Sequence, residues 1–384
     1  MPAARSASFS PAILLAVALA VTGTAVSAQS AGRIDGTVRS ASGAAPVPYA
    51  VVSLPALGRE RFSDAAGRFS LLGIPDGLHD VMVRRLGFSP WRGTIRIENK
   101  ASVTLDVQLE VLPFRLPTVA VRELAECPNP GMPDEAREAD VYDLFLLLRE
   151  NADRYRLLAS TYAFVYVQAR ALGEVSDSGL VIQRVDTSLI ESTTRTRYRP
   201  GRVVTKTARA GRPSEYTMAI PTILELADDA FVRNHCFGFG GAVQERGETW
   251  FRINMRAADR LRSPDVHGAF YLDSATSQLR RMELDLSRPD RLPSALRQVS
   301  NVTVVTSFVD IAAGISVIES VCAANTQRDP SGGRRLPPVP VELQQLIGYR
   351  FKSAPPGVAA ARSLPTPGWR VGNVYPRRTA SCDP

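Results

Sequence analysis

The sequence predicts a mainly β protein, with an N-terminal seven-stranded antiparallel β-sandwich followed by a helix packed on an antiparallel sheet. Three observations carry this. Short segments alternate apolar and polar residues with a period of two over residues 31–112. A single stretch of helical spacing follows Asp134, and longer alternating segments then run to about Gln327. Alternation places every second side chain on one face, so each such segment reads as a strand with one buried side.

The elements are justified in order. "GRIDGTVRS" sets Ile34, Gly36 and Val38 against polar neighbours, and "PVPYAVVSL" follows a Ser-Gly-Ala loop. "GRFSLLGI" places Phe69 and Leu71 together, and "LHDVMVRRLGF" does the same for Val81 and Val83. "WRGTIRIEN" and "SVTLDVQLEV" complete the series. Turn clusters separate these segments at roughly 8–12 residue intervals, the rhythm of a sandwich. Asp64-Ala65-Ala66-Gly67 and Pro75-Asp76-Gly77 are turns, with Gly67 free to take positive φ.

Residues 113–133 are proline-rich and read as a linker. Asp134 is then the expected helix cap, with Glu135 and Glu138 favourable at the positive end. Val141, Leu144, Phe145, Leu148, Ala152 and Tyr155 form one apolar stripe. Residues 134–327 are read as one domain of this helix and an antiparallel sheet. In it, "TYAFVYVQAR" places Tyr162, Phe164 and Tyr166 on one face, and "ETWFRINMRA" alternates Phe251, Ile253 and Met255 with polar residues. Hairpins are expected around Asp273–Ser277 and near Ala312–Gly314. Residues 328–384, rich in proline and arginine, are expected to be an extended tail, with a short helical turn at Leu343–Ile347.

Composition bounds function. The chain has 384 residues, 45% apolar and 22% charged, a globular balance with room for two or three domains. Residues 1–28 have the charge, apolar run and small-residue end of a secretory signal peptide, and no later run is long and apolar enough to span a bilayer as a helix. Export to the periplasm, the outer membrane or the extracellular space is therefore expected. The net charge is +8, but its basic residues are scattered among acids, which argues against nucleic acid as a partner.

The four cysteines, Cys127, Cys236, Cys322 and Cys382, are disulfide candidates in an oxidising compartment. Three pairings are open; the favoured one joins Cys127 to Cys236 and Cys322 to Cys382. No Cys-x-x-Cys pair occurs, against thiolate metal sites and redox catalysis. The histidines, His79, His235 and His267, have no second histidine at ligand spacing. His235 beside Cys236 is the one candidate nucleophile pair, and Asp273 with Glu283 the one candidate acid pair. The nucleophile-elbow, zincin and P-loop motifs are absent from the sequence. The expectation is a non-enzymatic protein with no catalytic, cofactor or metal site.

The motifs Gly36-Val38, Pro48-Ala50-Val52, Ser63-Asp64-Gly67-Phe69, Pro75-Gly77-His79 and Gly87-Phe88 together resemble the carboxypeptidase regulatory-like domain, with His79 where the family usually has an aromatic. The resemblance implies a transthyretin-like sandwich, grouped with folds that bind carbohydrate and carrying no catalytic residues of its own. A scaffold or spacer role, carbohydrate binding and docking of a cell-envelope protein are the functions it leaves open. The region from "NHCFGFGG" onward resembles the second half of exported proteins that carry this domain at the front. The 268–287 hairpin, with Asp273, Thr276 and Leu279, resembles those of lipoprotein-carrier-like half-barrels. That likeness implies a concave apolar face able to hold an acyl chain or a peptide, making a lipid- or protein-interaction module the alternative function.

Overall fold

The computed structural model describes residues 32–112, 124–196, 198–207, 215–245, 247–312, 314–328 and 338–376. The expected signal peptide lies outside the described residues.

Seven strands form the front domain: β1 (Gly32–Ser40), β2 (Val51–Leu54), β3 (Arg59–Phe62), β4 (Arg68–Ile74), β5 (Gly77–Arg84), β6 (Trp91–Ile97) and β7 (Ser102–Leu109). They make two sheets, ordered β4-β1-β7 and β3-β2-β5-β6. Ile34, Val38, Leu71 and Val107 of the first sheet pack with Val52, Val83 and Ile97 of the second in one buried cluster. This is the sandwich the alternation predicts, with one departure. The first and last strands, β1 and β7, lie side by side in parallel, so the sandwich is not antiparallel throughout. The alternation assigns faces but not strand direction, and a parallel pair of half-buried strands reads the same.

The chain then enters α1 (Ala139–Thr161). It begins four residues later than expected, with Glu138 at the N-cap, because Asp134 caps a preceding turn: its carboxylate accepts from the Ala136 amide at 2.9 Å and its carbonyl from the Glu138 amide at 2.8 Å. All six residues of the expected stripe are buried.

Strands β8 (Phe164–Ser176) and β9 (Gly179–Glu191) follow as a hairpin, then the small pair β10 (Val204–Thr207) and β11 (Glu215–Met218). Two short helices, α2 (Ile223–Leu226) and α3 (Asp229–Val232), lead into a meander. The meander comprises β12 (His235–Glu245), β13 (Glu248–Ala257), β14 (Asp265–Asp273), β15 (Leu279–Ser287), β16 (Val299–Ala312) and β17 (Ile315–Gln327). β18 (Val339–Phe351), β19 (Ala361–Ser363) and β20 (Val374–Tyr375) complete an eleven-stranded sheet. Its order is β12-β13-β14-β15-β16-β17-β18-β8-β9-β20, with β19 also pairing β18, and every pairing is antiparallel.

β18 corrects the expected tail. Residues 339–351 are an internal strand hydrogen-bonded to β17 on one side and β8 on the other, and Leu343–Ile347 is strand rather than helix. Val341, Leu343 and Leu346 are buried there, while the prolines that suggested a tail flank the strand or sit at its start. Arg170 of β8 and Glu342 of β18 bridge the seam with two contacts, 2.6 and 3.0 Å, across 172 residues of chain. α1 lies on one face of the sheet, and Tyr49, Val51 and Phe62 of the sandwich join the same buried cluster as Leu144, Leu148 and Leu158 of α1.

Candidate ligand-binding site

Most residues singled out in the sequence have structural commitments. Cys127 and Cys236 form a disulfide with a Cα–Cα distance of 5.6 Å, tying the segment before α1 to β12. Cys322 is also disulfide-bonded, and Cys382 lies outside the described residues. The Cys236 sulfur is therefore no nucleophile. His235, the next residue along the strand, is fully buried, stacks on Phe231 at 4.2 Å and has Nδ1 2.8 Å from the Phe231 carbonyl. Neighbouring strand residues point to opposite faces, which separates the two side chains of the supposed pair.

Asp273 and Glu283 are likewise occupied separately. Asp273 accepts from the Ala275 and Thr276 amides at 2.8 and 3.1 Å, shaping the β14–β15 turn, and pairs with Arg280 at 2.9 Å. Burial raises its pKa, but Arg280 and the turn amides outweigh this and hold the carboxyl below its ordinary range. Glu283 accepts from the Tyr271 hydroxyl at 2.6 Å and faces Arg281 at 2.8 Å. His79 closes a turn, its Nε2 2.8 Å from the Pro75 carbonyl. His267 sits on β14, where burial lowers its pKa. Among the described residues no three His, Cys, Asp or Glu side chains are placed to hold a metal ion.

What the structure does assemble is a cavity of about 300 Å³ between the helices and the large sheet. Its residues come from distant parts of the chain: Tyr155 of α1, Tyr166 and Gln168 of β8, Ile190 of β9, Ile223 and Leu224 of α2, Met282 of β15, Phe308 of β16 and Ile318 and Val321 of β17. The walls are mostly apolar, and the solvent side carries the exposed residues Glu191, Thr194 and Arg195. Ligand pockets commonly have this apolar lining with a few polar groups.

α2 is held against the rim by a capping box. The Thr222 hydroxyl accepts from the Leu224 amide at 3.3 Å, and Glu225 accepts from the Thr222 amide at 2.7 Å. On the floor, the Tyr155 and Tyr166 hydroxyls lie 2.8 Å apart, and Tyr155 donates to the Ser192 carbonyl at 3.1 Å. Burial pushes the Tyr155 hydroxyl up to about 12 and Tyr166 well above the ordinary tyrosine value. Both stay protonated at neutral pH, which suits a structural floor and not a proton donor or acceptor.

Gln168 was missed by the sequence reading. It is 2% exposed, it lines the cavity, and its Oε1 has no hydrogen-bond partner. The signal was present: the apolar face Tyr162, Phe164, Tyr166 continues, at the same period, into a glutamine.

A second cavity, of about 400 Å³, lies where the sandwich meets α1, between Arg84, Arg85 and Arg92 on one side and Asp143, Glu150 and Asp153 on the other. Arg84 pairs with Glu60 at 3.0 Å and with Glu150 at 2.9 Å, so this junction is internally charge-matched.

No curated protein matches the chain. Among solved structures, a Vibrio parahaemolyticus domain described as outer membrane lipoprotein-sorting is 9% identical, covering 54% of this chain and 92% of its own, with a TM-score of 0.27. A DUF1329 family protein from Desulfovibrio piger is 8% identical, covering 56% and 95%, with a TM-score of 0.28. A Bacteroides uniformis protein described as carbohydrate binding is 11% identical, covering 60% and 92%, with a TM-score of 0.18. These likenesses are too distant to bear on function. The sandwich is a different matter, since its strands, turns and buried alternation coincide with a family match over residues 33–110. The front of this chain is a carboxypeptidase regulatory-like domain.

Proposed function

We propose that this is an exported, non-enzymatic binding protein of the cell envelope that holds a single-chain amphiphile in the cavity between the helices and the large sheet. The sandwich serves as its scaffold. The observation that carries the reading is the cavity itself: mostly apolar walls, their apolar residues drawn from five strands and two helices, with the exposed polar residues on the solvent side. Apolar walls reward burial of methylenes, at about 0.8 kcal/mol each. The Cys127–Cys236 disulfide supports an oxidising compartment.

Carbohydrate binding by the sandwich has less support. Sugar platforms need exposed aromatic faces, and the five aromatics of residues 32–112 are buried (Tyr49, Phe62, Phe69) or half-buried against the core (Phe88, Trp91).

The test is displacement of a fluorescent fatty acid from the purified protein by unlabelled dodecanoate. Saturable one-to-one binding is expected, and Val321→Trp, which fills the cavity, abolishes it. Absence of binding, or binding indifferent to Val321→Trp, overturns the proposal. A glycan array on the same protein tests the sandwich directly.

A further inference from the structure

The two edges of the large sheet are finished differently. At β12 the Gly131 amide donates to the His235 carbonyl at 2.9 Å, the disulfide ties Cys236 to Cys127, and the strand shifts register at a bulge between Phe239 and Gly241. Cover and bulges are common ways of blunting an edge. At the opposite edge, β20 covers only the start of β9. It pairs with Leu180 and Val181, and the Ile182 amide and carbonyl bond Asn373 and Gly372. β9 then runs on to Glu191 and turns away at Ser192 and Thr193. Over 183–191 the strand it pairs with, among the described residues, is β8 alone, and from Arg184 onward that pairing is regular.

The direction of the outer backbone groups follows from one bond. The Ser192 amide donates to the Phe164 carbonyl at 2.8 Å, which makes these two residues a hydrogen-bonded pair. Antiparallel ladders alternate, so Ile190, Ser188, Asp186 and Arg184 bond β8, while Leu189, Thr187 and Val185 turn amide and carbonyl outward. The side chains of these three residues lie on the sheet face away from the cavity, where Leu189 is 70% and Val185 39% exposed. Apolar side chains in water on a regular, unpaired edge invite another strand.

The edge is complementary to itself. A two-fold axis at Thr187 sets Val185 of one copy opposite Leu189 of the other, twice, and Thr187 opposite Thr187. These three facing pairs exchange about six backbone hydrogen bonds, and the apolar side chains meet directly across the seam. The same register brings Ile182, where the cover by β20 ends, opposite Ser192, where β9 turns off, so each strand leaves the seam where the cover on its partner begins. Charge does not oppose the approach. Arg184 donates to Asp186 at 2.9 Å and Lys352 lies 3.6 Å from Glu191, so each acid on the edge has its counter-charge within its own copy.

We infer that the protein forms a two-fold symmetric dimer by antiparallel pairing of β9 with β9 about Thr187. An isologous contact of this kind closes on itself, and the blunted β12 offers no equivalent edge for a fibre. A single strand seam buries less than about 1,200 Å² in total, the class of weak association, so a dissociation constant on the order of 10 μM is expected. The inference is independent of the cavity reading.

The experiment is sedimentation equilibrium of the purified, disulfide-intact protein across concentrations from roughly tenfold below to tenfold above that constant. Monomer and dimer are expected, with nothing larger. Thr187→Pro removes an outward amide that the monomer does not use, at the kind of edge position where proline is tolerated. It should weaken the dimer by about 10-fold or more and leave the melting temperature of the dilute protein unchanged. Leu189→Lys puts a charge opposite Val185 and should weaken the dimer likewise. Thr187→Cys should give a covalent dimer on mild oxidation, since facing Cα atoms in such a pair lie about 5.5 Å apart. A monomer at every concentration, species larger than a dimer, or a dimer indifferent to both Thr187→Pro and Leu189→Lys overturns the inference. If Thr187→Pro does not fold, Leu189→Lys, a change at an exposed side chain, decides.

Discussion

Arg154 of α1 donates from Nη2 to the Tyr49 carbonyl of the sandwich at 2.7 Å. From Nε it also donates to the Gly314 carbonyl, at the β16–β17 turn, at 2.8 Å. The side chain is 1% exposed and lies 5.5 Å from the Phe62 ring. One guanidinium therefore fastens three parts of the molecule. Burial, and then the neighbouring Arg85, pushes its pKa down, opposed by Glu150 and Asp310, so this fastening is made at the expense of an unfavourably buried charge.

Arg154→Met leaves both carbonyls without their donor while relieving the buried charge. Charged hydrogen bonds are worth more than neutral ones, so the net loss is about 2–4 kcal/mol. Urea denaturation should show this fall. Hydrogen exchange should show the Tyr49 loop and the β16–β17 turn opening together. Unchanged exchange at either place would mean the clamp is not shared.

Replacing both Cys127 and Cys236 by serine releases a loop spanning 109 residues. Loop entropy at that length predicts a loss of roughly 3–5 kcal/mol, and reductant should destabilise the wild type further because it also opens the disulfide of Cys322. A smaller loss would mean that the segment before α1 is already held by other contacts, such as the Cys127 amide donating to Asp259 at 2.8 Å.

Gly36 tests the parallel pairing of β1 and β7. A Cβ there would lie 1.9 Å from the Leu105 carbonyl oxygen and 2.7 Å from the Phe69 ring. Neither the backbone nor the packed ring can retreat, so Gly36→Ala should cost about 3 kcal/mol. Melting of the sandwich should drop accordingly, while Gly43→Ala, where a Cβ meets nothing within 4 Å, serves as the neutral comparison.

The tyrosine floor predicts alkaline sensitivity. Tyr155 ionises at its ordinary value of 10.0 when unfolded and at about 12 when folded, so the folded state holds more protons between these values. Its contribution is fully present below pH 10 and is lost as pH rises through 12, amounting to roughly 2–3 kcal/mol. Tyr166 adds to this with the same sign. Stability measured from pH 9 to 12 should fall in the wild type and fall less steeply in Tyr155→Phe.

The sandwich was legible because its core alternates with turn glycines and an Asp-x-x-Gly turn, all local features. The stripe on α1 was legible for the same reason. β12 was harder to see, since "HCFGFGG" looks like a loop until its phenylalanines are recognised as alternating on Phe237 and Phe239, both buried. β18 was hidden by neighbouring prolines and by its partner: nothing near residue 344 in the sequence announces that residue 170 lies opposite. The Cys127–Cys236 link was one of three possible pairings, and spacing alone does not choose among them. The cavity depends on residues from many elements, so only Gln168, a polar residue in phase with an apolar face, left a trace in the sequence.

The seam between β8 and β18 has a kinetic consequence. β8 is among the first strands of the large sheet to be made, yet the partner on its inner side is separated from it by 172 residues, measured at the Arg170–Glu342 bridge. Until β18 arrives, β8 and β9 form a lone hairpin and β12–β17 an unfinished meander, each with an open edge. Long-range pairing of this kind is slow and leaves such edges exposed while it waits. β18 thus acts as a ratchet: the cavity comes into existence only when it closes, so a nascent or partly threaded chain has no site to fill.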